Sequence, residues 1–191
     1  MTNVAVIYGS VREGRLGLRV AKFVVDRINK RGGKATLVDP LDYKLPILEK
    51  KFVQYGNGKA PKNLQKLHEI FENSDAFIIV TAEYNHGVPP ALKNIIDHFG
   101  SEYAFKPSAI VSYSTGPFGG VRAAMQWRVI LPEAGMPTIP TIFPVPFVQD
   151  AFDDDGKPKD EKYNDGIKKF LDEFDWYVGA FKDARKKGMP Y

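Results

Sequence analysis

A run of small, polar and basic residues near the start of the chain carries groups that bind anions. It follows the apolar stretch Val4 to Tyr8 and reads Gly9-Ser10-Val11-Arg12-Glu13-Gly14-Arg15-Leu16-Gly17. Ser10 offers a hydroxyl, and Arg12 and Arg15 offer charged, forked N–H donors. The glycines let the backbone curl around an anion, and a helix beginning there points free N–H groups at it. These residues favour a phosphate monoester; the alternative is a plain strand-to-helix turn with surface arginines.

A second run, from Ala82 to Pro90, holds an acid, a phenol, an amide and an imidazole in the order Ala-Glu-Tyr-Asn-His-Gly-Val-Pro-Pro. Such groups can line a planar heterocycle, because amides contact its edge and Tyr84 covers part of a face. The alternative is a loop leading into a helix, with Asn85 and Pro90 only capping it. His86 has no partner acid fixed by spacing and does not indicate catalysis.

A third run, Ser114-Thr115-Gly116-Pro117-Phe118-Gly119-Gly120, is rich in small residues. Small residues let a flat ligand approach the backbone, and Phe118 can stack on the ligand or on a substrate. The alternative is a turn forced by glycine. The three runs are called below the first, second and third loops.

Each of these loops follows a predicted strand in a chain that alternates short apolar runs with amphipathic ones. This alternation predicts a doubly wound α/β fold, with one parallel sheet and helices on both faces. Ligands bind beyond the carboxyl ends of such strands, so the three loops are expected to form one site. The predicted strands are Asn3 to Tyr8, Lys34 to Asp39, Asp75 to Thr81, Ser108 to Ser114 and Thr138 to Val145.

Helices are predicted between the strands and after the last one, and residues 1–191 are expected to form a single domain. The last strand contains prolines, which cannot donate ladder hydrogen bonds, so it belongs at an edge of the sheet. The segment Pro40 to Lys59 is predicted to be an irregular link, and Asp150 to Asp160 a polar loop. The first predicted helix begins near Leu18 and ends at Arg31. The others span Pro61 to Asn73, Pro90 to Phe99, Val121 to Glu133 and Tyr163 to Lys187.

Composition excludes several kinds of chemistry. The 191 residues include no cysteine and three histidines, which removes thiolate nucleophiles and cysteine metal sites and leaves no carboxylate–histidine cluster for a metal. The net charge of +4 is dispersed and accompanies no nucleic-acid-binding motif, so no nucleic-acid partner is expected. No apolar stretch approaches the ~18 residues needed to span a membrane. Met1-Thr2-Asn3 lacks a basic leader region, so we expect a cytoplasmic location. Because thiolate nucleophiles and a metal cluster are missing, we expect the chemistry to be carried by a bound cofactor.

Together the three loops resemble the NADPH-dependent FMN reductase family of flavodoxin-like proteins, which includes quinone, azo-dye and chromate reductases. The segment from Glu83 to Asp97, EYNHGVPPALKNIID, is close to that family's E-Y-N-x-x-x-P-x-x-L-K-N-x-x-D motif. Gly9 to Arg12 matches the family's phosphate loop, and Gly116 to Ala123 matches its third loop. The resemblance covers roughly residues 3 to 145 and implies a five-stranded parallel sheet of order 2-1-3-4-5.

The resemblance also implies which residues contact FMN. The first loop would hold the phosphate, the second would contact the isoalloxazine ring and ribityl chain, and the third would line the other edge of the ring. Many members have serine, asparagine and proline where this chain has Arg15, Gly17 and Ala82. Arg15 either joins Arg12 on the phosphate or points to solvent. The predicted cofactor-binding residues are Ser10, Arg12, Arg15, Leu16, Gly17, Ala82, Glu83, Tyr84, Asn85, Ser114, Thr115, Gly116, Phe118 and Gly119.

The function implied is that of an FMN-dependent NAD(P)H oxidoreductase, with NADPH or NADH as reductant and no catalytic side chain. Its small-molecule acceptor would be a quinone, free flavin, an azo compound or a similar molecule. The alternatives are an electron-transfer or redox-sensing FMN module without nicotinamide turnover, and a phosphate-binding protein without flavin. The basic net charge argues against an electron carrier of the acidic flavodoxin type.

The resemblance further implies a homodimer or homotetramer. Helix Pro90 to Phe99, the 40–59 link and Trp127 are candidates for the apolar joining surface. The alternative is that these segments only complete the core of one chain.

Overall fold

The computed structural model describes residues 1–56 and 58–190, and its central element is a five-stranded parallel sheet. The strand order is β2-β1-β3-β4-β5, so the predicted order 2-1-3-4-5 is confirmed. Each predicted strand is present with bounds shifted by at most one residue. The strands are β1 (Asn3–Tyr8), β2 (Lys34–Val38), β3 (Ala76–Ala82), β4 (Ser108–Tyr113) and β5 (Thr138–Val145).

Helices connect the strands and cover both faces of the sheet. One core cluster lies between the sheet and helices α1 and α7, and the other lies between the sheet and α3, α4 and α5. This two-sided cover explains why every residue of β3 is buried. The helices are α1 (Gly17–Lys30), α2 (Pro40–Tyr43), α3 (Lys62–Glu72), α4 (Pro90–Asp97), α5 (Val121–Glu133), α6 (Val148–Ala151) and α7 (Lys162–Lys186).

The strand register places several side chains of the later site at one edge. Tyr8, the last residue of β1, is opposite Val80 of β3. Ala82, the last residue of β3, is opposite Tyr113, the last residue of β4. Since the strands are parallel, the first, second and third loops all leave this carboxyl edge. The edge position of β5 is also confirmed, because β5 pairs only with β4 in the described sheet.

Two segments predicted to be irregular contain short helices. The link from Pro40 begins with α2, whose N-cap Asp39 accepts a hydrogen bond from the Leu41 N–H, and later forms a 3-10 helix at Phe52–Tyr55. Asn57, also in this link, lies outside the described residues. The predicted polar loop from Asp150 overlaps α6, which ends at Ala151. These helices are a single turn long, too short to show a hydrophobic period in the sequence.

Trp127 does not form part of a surface, so the prediction that it supplies an apolar joining face is wrong. Its side chain is fully buried between α5 and the sheet, and its indole Nε1 donates to Thr81 Oγ1 at 2.9 Å. A buried indole N–H needs such a partner, and the hydroxyl of β3 supplies it. Trp127 therefore completes the core, as the alternative proposed.

Across residues 1–56 and 58–190, no helix combines the length and the apolar character that a membrane span requires.

Candidate functional site

A cleft of about 220 Å³ opens at the carboxyl edge of the sheet, where the three loops meet. The first loop forms one wall, and the second loop, the end of β4 and the start of the third loop form the other. A wider groove of about 520 Å³ lies at the amino end of β1 and β2 and contains none of the predicted residues. The cleft is lined by Ser10, Arg12, Glu13, Gly14, Arg15, Leu16, Ala82, Glu83, Tyr84, Tyr113, Ser114, Thr115 and Val148.

Ser10 lies at the floor of the cleft and joins its two walls. Its side chain is buried, and its Oγ is 2.7 Å from the Tyr84 hydroxyl. The same Oγ accepts from the Arg12 backbone N–H at 3.3 Å. Ser10 also faces the Tyr8 and Tyr113 hydroxyls, so its hydroxyl belongs to a cluster of O–H groups at the floor of the cleft that could donate to a ligand oxygen.

Arg12 is the cation that faces the cleft. Its side chain is exposed, and its guanidinium carbon lies 5.7 Å from the centre of the Tyr84 ring. Among the described residues, no carboxylate or carbonyl pairs with this guanidinium. Five N–H donors are therefore free to bind an anion, with the aromatic ring holding the group at the mouth of the cleft.

The amino end of α1 adds backbone donors at the same wall. Its N-cap residue, Leu16, is apolar, so no side-chain oxygen caps the first backbone N–H groups. The first turn contains no acidic residue to offset the positive end of the helix dipole. Of these groups, the Arg19 N–H already donates to the Leu16 carbonyl at 3.2 Å, and an anion in the cleft would be a partner for the others.

Arg15 does not point to solvent, which was one of the two positions expected for it. Its guanidinium forms a two-pronged ion pair with Asp39, with both N–O distances at 2.6 Å, and it also donates to the Ser10 carbonyl at 2.9 Å. Both side chains are mostly buried. The hydrogen bonds that Arg15 donates to Asp39 raise the pKa of Arg15 above its usual value. Arg15 therefore ties the first loop to the end of β2, although part of its side chain lines the cleft.

The Tyr113 side chain fills the space that a side chain on Gly17 would need. A Cβ atom on Gly17 would lie 1.9 Å from Tyr113 Cζ and 2.3 Å from its hydroxyl oxygen. The Tyr113 phenol thus rests against the first turn of α1, and its hydroxyl donates to the Tyr8 hydroxyl at 3.4 Å. Gly17 itself does not line the cleft. Burial raises the pKa of the Tyr113 phenol well above its usual value and also raises that of Tyr8.

The second loop forms a tight turn in which the chain reverses its direction. Tyr84 and Gly87 exchange backbone hydrogen bonds at 3.0 and 2.9 Å, with Asn85 and His86 at the turn. Both turn residues have positive φ, 49° and 64°, a conformation that asparagine tolerates better than most residues. Their side chains are exposed, and Asn85 lies outside the wall of the cleft.

Glu83 directs its carboxylate at the third loop and α5. Its Oε2 accepts from the backbone N–H groups of Arg122 and Ala123 at 3.0 and 3.4 Å. The Arg122 guanidinium lies 3.5 Å from the other oxygen. The carboxylate therefore stabilises the amino end of α5 and fixes the second loop against the third.

The third loop places only its first residues in the cleft. Ser114 Oγ donates to the Gly116 carbonyl at 3.0 Å, which turns the chain away from β4. Gly120, with φ of 74°, passes so close to Tyr113 that a Cβ would lie 2.7 Å from the Tyr113 carbonyl oxygen. Phe118 is 58% exposed, with Arg122 stacked on it. Gly116, Phe118 and Gly119 lie outside the wall of the cleft.

The structure thus brings most of the predicted residues into one cleft and adds some that sequence reasoning missed. The missed lining residues are Glu13, Gly14, Tyr113 and Val148. Tyr113 was detectable in principle, because it is the last residue of a predicted strand that runs into the third loop. Val148 was not, since it belongs to the one-turn helix α6.

Chemically, the cleft has one donor-rich end, which carries Arg12 and the exposed Glu13, and one end whose only carboxylate, Glu83, is paired with α5. The first suits a dianionic ester, and the second suits a flat, uncharged ring. The described residues include no group of three histidine, aspartate or glutamate side chains that could hold a metal. The cleft is therefore suited to binding and orienting a phosphorylated cofactor.

Comparison of the sequence with known proteins points to one family. The NADPH-dependent FMN reductase family model matches residues 2–150. An NAD(P)H-dependent FMN reductase of Nectria sp is 34% identical over 134 residues, 66% of this chain and 65% of that relative. The match thus spans just under two thirds of that relative's length. A quinone reductase of Pseudomonas putida is 30% identical over 189 residues, 92% of this chain and 94% of the relative.

Comparison of the structure with solved structures gives a consistent result. A flavoenzyme NAD(P)H:(acceptor) oxidoreductase of Paracoccus denitrificans aligns with a TM-score of 0.74 at 25% identity, covering 96% of this chain and 98% of that one. A flavodoxin of Pseudomonas aeruginosa aligns with a TM-score of 0.57 at 16% identity, covering 93% and 99%. The second likeness concerns the fold alone, and it confirms the expected flavodoxin-like architecture.

Proposed function

We propose that this chain, which belongs to the NADPH-dependent FMN reductase family, is an NAD(P)H-dependent oxidoreductase that uses FMN bound in the cleft between Ser10 and Thr115. The observation that carries this proposal is the meeting of all three motif-bearing loops at one cleft. The fit rests on the donor set, because the Ser10 hydroxyl and the Arg12 guanidinium converge at one end of the cleft.

The phosphate of FMN would lie against the first loop. Ser10 would donate its hydroxyl proton, Arg12 would supply charge and forked donors, and the first N–H groups of α1 would point at the phosphate oxygens. Arg15 would act indirectly, by holding the loop in place through Asp39. Leu16 would pack against the phosphate end without donating a side-chain hydrogen bond.

The ring of FMN would lie between the second and third loops. Ala82, Tyr84, Ser114 and Thr115 would line it, while Glu83 keeps its charge on α5 rather than on the ring. When bound, FMN supplies hydride transfer from NAD(P)H to a small-molecule acceptor. The chain contributes position, a neutral ring-binding wall and backbone N–H groups that favour negative charge at the ring edge.

Five of the predicted cofactor-binding residues do not line the cleft, and we propose indirect or peripheral roles for them. Gly17 and Gly119 would act by leaving room for neighbours, since a side chain at either would press on the surrounding chain. Asn85, Gly116 and Phe118 would reach FMN or the second substrate only from the rim. For acceptors, we propose quinones, free flavin, azo compounds and similar electron-poor molecules.

We further propose that residues 1–191 act as a single FMN-binding domain that assembles as a homodimer or homotetramer. On α5, Met125 and Val129 are 46% and 75% exposed and lie one helical turn apart. Apolar side chains so exposed favour burial against another surface. Light scattering at micromolar concentration is expected to give at least a dimer. Dependence on NAD(P)H, a reductant regenerated by metabolism, supports the cytoplasmic location.

Anaerobic mixing of the FMN-loaded protein with NADPH or NADH tests the function directly. We expect flavin absorbance to bleach with the pyridine nucleotide and to return when a quinone, free flavin, an azo dye or a ferric or chromate salt is added. Protein that binds FMN but is not bleached would instead be an electron-transfer or sensing module. Protein that binds no FMN would contradict the assignment of the cleft.

A further inference from the structure

The hydroxyl of Tyr113 lies where the phosphate end of a ligand would meet α1. It would be 2.3 Å from a Cβ on Gly17, the first residue of that helix, so it sits in the first helical turn. Tyr113 lines the cleft together with Ser10. The phenol thus reaches across from the end of β4 to the donor-rich end formed by the first loop.

We propose that Tyr113 is a phosphate-binding residue, whose hydroxyl donates to the phosphate of FMN, and that Gly17 is required because Tyr113 fills its side-chain space. This inference rests on the proposed function, since it assumes that FMN occupies the cleft. It adds a donor to the three groups already assigned: Ser10, Arg12 and the amino end of α1.

The Tyr113 hydroxyl is available as a donor. Its bond to Tyr8 is 3.4 Å long, at the weak limit for an O–H···O bond. Burial keeps its pKa well above the usual value, so the phenol stays protonated across the working pH range. A phosphate oxygen is a better acceptor than another phenol, because hydrogen bonds to charged acceptors are shorter and stronger.

Gly17 and Tyr113 form a matched pair. Any side chain at position 17 would collide with the Tyr113 ring, with contacts between 1.9 and 2.4 Å. The collision would push the hydroxyl out of the first turn of α1. The competing explanation is that Tyr113 is only a packing residue, stacked on Tyr8 with ring centres 6.3 Å apart.

The test compares FMN with riboflavin, which has the same ring and ribityl chain but no phosphate. Wild-type protein, Tyr113→Phe and Tyr103→Phe are titrated with each flavin, and binding is followed by flavin fluorescence. Tyr103 is the matched control, because it is fully buried and packs on the other core cluster. Tyr113→Phe is expected to weaken FMN binding about tenfold and leave riboflavin binding unchanged. Tyr103→Phe is expected to change neither.

Two outcomes overturn the inference: equal weakening of both flavins by Tyr113→Phe, which is the result of a packing role, or no weakening of either. If Tyr113→Phe does not fold, Gly17→Ala replaces it, since it keeps the hydroxyl but displaces it. That variant is expected to lose FMN affinity selectively, and unchanged FMN affinity would again overturn the inference. If wild-type protein binds no FMN, the proposed function fails instead, and the two failures are thus distinguished.

Discussion

The first and second loops face the same cleft, but they differ in which of their charged side chains point into it. In the first loop, Arg12 faces the cleft and Arg15 turns back to pair with Asp39. In the second loop, Glu83 is the only acid, and its carboxylate turns away to the amino end of α5. The first loop therefore presents the Arg12 guanidinium and the exposed Glu13 carboxylate to the cleft, whereas the carboxylate of the second loop is paired.

This division suits a ligand that is anionic at one end and neutral at the other. An unpaired Glu83 carboxylate would add negative charge to the cleft and oppose binding of a phosphate, and the backbone N–H groups of α5 offset that charge. Arg15 and Glu83 are both among the residues predicted from the sequence to bind the cofactor. Position in a motif therefore does not separate residues that bind the ligand from those that hold the loops.

The largest effect that would test this division is expected for Arg15→Ala. Asp39 is 5% exposed, and removing Arg15 would leave its carboxylate buried without a cationic partner. Loss of one partner of a buried pair costs about 3–5 kcal/mol, and we expect a free energy of unfolding lower by about 3 kcal/mol. Urea unfolding measures it. Arg12→Ala is the control, with a change within about 0.5 kcal/mol. Equal stability of Arg15→Ala and wild type would place Arg15 in the ligand-binding group instead.

Arg12→Ala is expected to show the opposite pattern, with weaker binding and unchanged stability. Loss of a charge-assisted contact predicts FMN binding weaker by about 1.5 kcal/mol, or roughly tenfold, which calorimetric titration would detect. The loss should shrink at high salt, because Arg12 is exposed and screened. Arg12→Lys keeps the charge but not the forked donors, so its FMN affinity should fall between those of wild type and Arg12→Ala. Unchanged FMN affinity in Arg12→Ala would show that the phosphate lies elsewhere.

Much of this fold was predictable from the sequence, because strands such as β3 are unbroken apolar runs and helices such as α5 have clear boundaries. Ser10 and Arg12 were also predictable, since their types and their place after a strand suffice. The roles of Arg15 and Glu83 were not, because each depends on a partner distant in the chain. The Gly17–Tyr113 contact joins the first residue of α1 to the last residue of β4, and local patterns carry no information on such contacts.

A smaller effect is expected when Glu83 loses its contact with α5. Glu83→Ala removes an acceptor for two backbone N–H groups, a change that typically costs about 1 kcal/mol at a helix amino end. Glu83→Gln keeps an oxygen acceptor and should lose less. Thermal unfolding measures both. If Glu83→Ala instead weakened FMN binding without lowering stability, the carboxylate would belong with the ligand, and the contrast between the loops would fail.

The smallest effect is expected for Tyr103→Phe, which provides a reference outside the cleft. The Tyr103 hydroxyl is buried and has no hydrogen-bond partner within residues 1–56 and 58–190. Removing it should leave stability at neutral pH unchanged or slightly higher, since an unpaired buried hydroxyl is unfavourable. Burial raises the pKa of Tyr103 well above its usual value of about 10.

The sign of the pH effect follows from this shift. Above pH of about 10, Tyr103 ionises in the unfolded chain but keeps its proton in the folded one, so stability falls as pH rises. Tyr103→Phe should therefore lose less stability than wild type between neutral and strongly alkaline pH. Other alkaline titrations, such as that of Lys106, occur in both proteins and cancel in the difference. Identical alkaline slopes would mean that the Tyr103 phenol is accessible to water, and Tyr103 would then be unsuitable as the control for Tyr113.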